Sequence, residues 1–190
     1  MTDIDGGSKD GWQALAKRIQ RIEEIDAIKR VKYRYFRFFD TANVDAIADV
    51  FTEDVVITVV GGVYKFELKG RDAYLKLIRE GAHAEMITQH HGHHPEIDLI
   101  DDRKATGLWY LNDYVLDFRR KQHIMGTAFY RDTYVKESDG QWRIQRTEFE
   151  RVWEISETID KKPNVTFSYL STHAYQMPPG ELLPFKRDDL

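Results

Sequence analysis

The chain has 190 residues, which suits one domain able to bury a sizeable core. Lys and Arg total 28 against 32 for Asp and Glu, and the resulting charge of −4 argues against a nucleic acid or an anionic membrane held by charge. Cysteine is absent, which rules out a disulfide framework, a thiolate metal site and a cysteine nucleophile, while a 13% aromatic share is enough to line a cavity for a small hydrophobic ligand as well as fill a core.

Residues 1–11 are polar and acidic and are read as a disordered leader. They hold no apolar h-region, and nowhere is there an apolar run of about 18 residues, so neither export nor a membrane span is signalled and a cytoplasmic location is expected. The domain itself is expected over 12–155. From about 14 to 40, Ile22, Ile25, Ile28, Lys32, Tyr35 or Phe36, and Phe39 recur at three- and four-residue spacing, which predicts a long amphipathic helix with the Lys32 stem snorkelling at the edge of the stripe. A short helix over Val44 to Phe51 follows, then T-E-D turns the chain into the β-branched run 55–60, which Gly61-Gly62 makes a hairpin with Val63–Leu68. After Gly70 a third helix ends near Gly81. Strands are predicted at roughly 86–100, 105–118, 126–136 and 141–154, separated by D-D-R-K, R-R-K-Q-H and E-S-D-G. This order implies an α+β fold, a curved antiparallel or mixed sheet wrapped around the N-terminal helix. Residues 156–190 are read as an arm that packs on its own or a neighbouring subunit.

Alternation along 105–118 puts Trp109, Leu111, Asp113 and Val115 on one face of their strand. A carboxylate among such neighbours is either a structural ion-pair partner or a tuned catalytic acid. Asp40 closes the long helix, where the negative end of the macrodipole calls for a cation nearby; it either holds a histidine or caps the next turn. Tyr35 lies about 140° round the helix from Asp40, so the two flank a cavity, and Tyr35 either donates to a substrate oxygen or belongs to the core. The stretch Q-H-H-G-H-H-P-E (89–96) packs four histidines into five positions. In an extended chain His90 and His94 share one face and His91 and His93 the other, so a metal site needs a coil at Gly92, and the alternative is one histidine for chemistry with three bystanders.

The stretches E-I-D-A-I-K-R-V-K-Y-R-Y-F-R-F-F-D (24–40), H-H-G-H-H-P-E-I (90–97), A-T-G-L-W-Y-L-N-D (105–113) and 126–151 (G-T-A-F-Y-R-D-T-Y-V-K to F-E-R) resemble the SnoaL-like branch of the nuclear-transport-factor-2-like (NTF2-like) superfamily, and within it the bile acid 7α-dehydratases. The resemblance implies a cone-shaped α+β barrel around a deep apolar pocket, catalytic residues at Tyr35, Asp40, His90, Asp113 and Arg151, and no cofactor or metal. It places Phe39, Val59, His91, His93, Trp109 and Phe129 among the substrate-binding residues, with Val59 where a pocket tyrosine is expected. The activity it implies is a cofactor-independent lyase eliminating water from a bulky polycyclic or aromatic substrate, in a homotrimer. A carbon–carbon lyase releasing formaldehyde from a diarylpropane is the nearest rival. A ligand-binding module or a dioxygenase β subunit is the non-catalytic one.

Overall fold

The computed structural model describes residues 9–181 and opens on one long helix, α1 (Lys9–Asp40). It starts at Lys9 rather than near residue 14, so the end of the predicted leader forms the first helical turn, and residues 1–8 lie outside the described part. Only the C-terminal half is enclosed: Ile28, Val31, Tyr35 and Phe36 are at most 5% exposed, whereas Ile22 is 66% exposed. The helix stops where Ala42 takes a left-handed backbone, and Asn43 then caps α2 (Val44–Ala48) by accepting the Ala46 N–H at 3.2 Å.

Helix α2 ends before Phe51 because that side chain is needed elsewhere. It is fully buried and begins β1 (Phe51–Val60), which lies parallel to a later strand with Phe51 opposite Ile144. T-E-D, read as a turn, belongs to the strand, at the point where the register slips between Phe51 and Val56. A hairpin leads to β2 (Lys65–Lys69), and α3 (Arg71–Gly81) follows Gly70, whose φ of 87° favours glycine. Four long strands complete the sheet: β3 (Met86–Leu99), β4 (Lys104–Asp117), β5 (Gln122–Lys136) and β6 (Trp142–Thr158). Strand β5 starts four residues early, because the turn ends at Lys121, within R-R-K-Q-H, and Gln122 and Ile124 already face inward.

The six strands form one mixed sheet in the order β2-β1-β6-β5-β4-β3, with β1 parallel to β6 and every other pair antiparallel. The sheet curves around α1, packing Trp109, Leu111, Tyr130, Tyr134 and Ile144 against Ile28, Val31, Tyr35 and Phe36. This is the α+β arrangement expected from the sequence, a curved mixed sheet around the N-terminal helix. Lys32 meets the sheet from within and has no edge to snorkel to. Its Nζ lies 2.9 Å from Asp132 and 3.6 Å above the Tyr130 ring centre. The Tyr134 and Thr147 hydroxyls donate to Asp132 at 2.6 Å each, so the buried carboxylate is fully engaged.

Past β6 the described part of the arm folds back on its own chain. Leu170, in the single turn α4 (Leu170–His173), is buried, the Ala84 N–H donates to the Tyr175 carbonyl at 2.9 Å, and Arg119 donates to the carbonyls of Met177, Pro178 and Glu181. Residues 182–190 of the predicted arm lie outside the described part.

Candidate active site

The inner face of the sheet divides into a filled half and an open half. At the open end, α1, α3 and the strands enclose a cavity of about 380 Å³, within the usual range for small-ligand sites. Its walls are apolar side chains such as Ile57, Val59, Leu77 and Ile124, with the rings of Phe39, Phe66 and Phe149. Against that background a small number of polar groups converge.

Asp40, the last residue of α1, holds His90 of β3 twice: the His90 backbone N–H donates to Oδ2 at 2.9 Å, and the ring Nδ1 lies 2.6 Å from Oδ1. With a carboxylate oxygen as acceptor, Nδ1 carries the proton, which leaves Nε2 as the basic nitrogen. Burial alone would raise the Asp40 carboxyl, but the hydrogen bonds from the His90 ring and backbone bring it below its ordinary value. The imidazole thus supplies the polarity that a carboxylate at a helix C-terminus lacks. Phe36 stacks on the ring and Phe39 meets it edge-on, which limits its rotation.

From His90 a polar row crosses three more strands. His90 is directly opposite Asp113 of β4, Asp113 opposite Gly126 of β5, and Gly126 opposite Glu154 of β6. Residues 151 and 154 cannot share a face under simple alternation. A bulge at Val152, where Thr127 pairs with Trp153 but Ala128 pairs with Arg151, turns both inward. Arg151 then lies across Gly126, where a Cβ would stand 2.9 Å from Nη1, and grips Asp113 with both terminal nitrogens at 2.5 and 2.7 Å. Its Nε–H donates to Glu154 at 3.0 Å and to the Tyr64 hydroxyl at 3.2 Å, while Tyr64 donates to Glu154 at 2.8 Å. Burial works against the guanidinium charge, but Asp113 more than offsets it and holds Arg151 above its ordinary value.

A cluster of phenols occupies the floor. The Tyr35 and Tyr74 hydroxyls are 2.7 Å apart, and Tyr130 packs edge-on to Tyr35. Burial, ahead of the repulsion among neighbouring phenols, pushes all three well above the usual tyrosine value. They remain neutral hydrogen-bonding groups throughout the working pH range.

Of the expected catalytic residues, Tyr35, His90, Asp113 and Arg151 line the cavity and Asp40 backs His90; Phe39 and Val59 are wall residues as expected. The other four expected binding residues are elsewhere. Trp109 shares the inner face with Asp113 but sits four residues along, in the filled half, fully buried with its indole N–H donating to Tyr134 at 3.0 Å. His91 and His93 alternate with His90 and are exposed on the outer face, and Phe129 packs against Tyr110 on that side. Among the described residues no group of three or more His, Cys, Asp or Glu converges as a metal site would require. Tyr64, Tyr74, Tyr130 and Glu154 were not anticipated. The only trace of Tyr64 in the sequence is Gly61, whose missing Cβ leaves room for the Tyr64 ring to fold back.

A family model described as a SnoaL-like domain matches residues 20–148. Among solved structures, a candidate scytalone dehydratase from Novosphingobium aromaticivorans is similar at 23% identity and a TM-score of 0.64, covering 75% of this chain and 97% of that one. A hexachlorocyclohexane dehydrochlorinase, LinA type 2, is similar at 17% identity and a TM-score of 0.66, covering 78% of this chain and 99% of that one. An NTF2-like protein with a cystatin-like fold from Novosphingobium aromaticivorans is similar at 21% identity and a TM-score of 0.62, covering 76% of this chain and 92% of that one. At such identities the structures speak for the shared fold. The family model spans well over half of the sequence, and the chain belongs to the SnoaL-like domain family.

Proposed function

We propose that the protein is a cofactor-independent lyase that eliminates water from a bulky, largely apolar, hydroxylated substrate, polycyclic or aromatic. The observation that carries this reading is the Asp40–His90 pair, fixed at 2.6 and 2.9 Å on the wall of an apolar cavity. Two of the similar structures bear the names of eliminating enzymes, a dehydratase and a dehydrochlorinase, which agrees with it.

In this mechanism Nε2 of His90 takes a proton from carbon, and that bond's electrons form the new double bond as the carbon–oxygen bond breaks. Asp40 stabilises the imidazolium that results. Asp113, with both oxygens taken by Arg151, serves to position the guanidinium. Arg151 donates to the departing oxygen, which His90 can reach because it is the cross-strand neighbour of Asp113, and the imidazolium returns its proton there to release water. Where a carbonyl activates that carbon, Tyr35, kept neutral by burial, donates to the carbonyl oxygen, on which negative charge builds as the proton leaves. Each step uses the chain's own groups.

The test is to incubate the protein with hydroxylated polycyclic and bicyclic aromatic compounds and analyse products by mass spectrometry. Loss of water with an unchanged carbon count is expected, and free formaldehyde would replace the reading with carbon–carbon cleavage. On a substrate so identified, His90→Ala and Asp40→Asn should each reduce kcat by about 10²–10⁴-fold. Wild-type rates in either variant would remove the dyad from the mechanism.

A further inference from the structure

Between Trp12 and Ile22, α1 presents large apolar side chains to solvent. Trp12, Ile19 and Ile22 are 60%, 47% and 66% exposed, and with Leu15 they follow a 3-4-3 spacing, the a and d positions of a heptad. At about 100° per residue this stripe lies roughly 160° round the helix from the face formed by Ile28, Val31, Tyr35 and Phe36. It therefore points away from the cone.

The charges beside the stripe identify what covers it. In this register Arg18 occupies the g position of one heptad and Glu23 the e position of the next, both exposed, one on each flank. Five residues apart on one helix, they are about 140° apart and cannot pair with each other. In a parallel, in-register pair of helices, g of one faces the following e of the other, so Arg18 meets Glu23 of the second copy twice over. Antiparallel pairing sets g against g and e against e, which offers only Gly11, Arg18 and Ile25 to one another and Ala16 and Glu23 to one another. No opposite charges meet in that arrangement.

We propose that residues 12–23 are a self-association seam that pairs with the same segment of a second copy of this chain, parallel and in register. Because the stripe faces away from each cone, the two bodies sit on the outside of the pair and do not collide. The seam is three helical turns long, so association is weak and concentration-dependent.

The experiment is light scattering coupled to size exclusion, with sedimentation equilibrium, over roughly 1–300 µM. Wild type should show a mass above the monomer that rises with concentration, and Ile19→Glu/Ile22→Glu should lower it while leaving the thermal midpoint unchanged, since both side chains are exposed. Arg18→Glu and Glu23→Arg should each weaken association, and the double variant should recover it by restoring the pair with reversed signs. A wild type monomeric to the top of the range overturns the proposal, as does an Ile19→Glu/Ile22→Glu mass equal to wild type. A double variant no better than its single parents overturns the parallel register. The readout is independent of catalysis, so it stands apart from the fate of the His90 mechanism.

Discussion

With side chains at most 1% exposed, Lys32 and Asp132 form an ion pair that water does not reach. Such a pair earns little net stability against an apolar replacement, yet each partner alone is costly, because an unpaired buried charge loses its hydration without return. Lys32→Met should therefore destabilise the protein by about 3–5 kcal/mol in urea unfolding. Lys32→Met/Asp132→Asn should be less destabilised than the single variant, because asparagine can still accept from Tyr134 and Thr147 without carrying a charge. Equal losses in the two would mean that the pair matters through packing alone. The sequence concealed this arrangement, since a lysine on an amphipathic stripe normally reaches an edge, and only the closure of the sheet around α1 removes the edge.

Two glycines show how the strands and the first hairpin deliver side chains to the cavity. A Cβ at Gly61 would come within 2.2–2.5 Å of three ring atoms of Tyr64 and nothing else as close, whereas one at Gly126 would meet the Trp153 backbone oxygen at 2.6 Å. A ring can swing away but a backbone carbonyl in a ladder cannot. Gly61→Ala should thus leave the unfolding midpoint near wild type while expelling the Tyr64 hydroxyl from Arg151 and Glu154, and on any turned-over substrate it should match Tyr64→Phe, with no further loss when combined. Gly126→Ala should cost about 1–3 kcal/mol by forcing β5 and β6 apart. The helices and the four long strands were legible because period 3.6 and period 2 survive in any packing. The Asp40–His90 contact was legible through the family resemblance, with the helix dipole as independent support. The row from His90 to Glu154 was not, since it depends on register and on a bulge at Val152 that no local pattern announces. Trp109 was assigned to the correct face but the wrong end of it, because alternation distinguishes inside from outside and says nothing about where a core gives way to a cavity.

At the scale of the whole molecule, three carboxylates besides Asp132 tie the sheet to what surrounds it. Asp40 joins α1 to β3 through His90; Glu24 joins α1 to β5 and β6 through Lys136 at 2.6 Å and Trp142 at 2.5 Å; Asp117 joins β4 to His83, beyond α3, at 3.5 Å, and to Arg120. In each, burial pushes the carboxyl up and is outweighed: by His90 for Asp40, by Lys136 and Trp142 for Glu24, and by His83 and Arg120 for Asp117. All three thus bind protons less readily folded than unfolded. Their stabilisation is fully present above the ordinary carboxylate range of about 4 and is lost as pH falls through the lower folded-state values. The melting temperature should be nearly insensitive to these groups between neutrality and about pH 5 and should fall steeply below about pH 4. Because the joints between them engage α1, β3, β4, β5 and β6, acid should loosen helix and sheet together, in one calorimetric transition. Asp117→Asn supplies the control: its deficit relative to wild type should be largest near neutrality and shrink as wild-type Asp117 itself becomes protonated. A deficit that stays constant from pH 7 to pH 3 would show that Asp117 acts through its shape and hydrogen bonds rather than its charge.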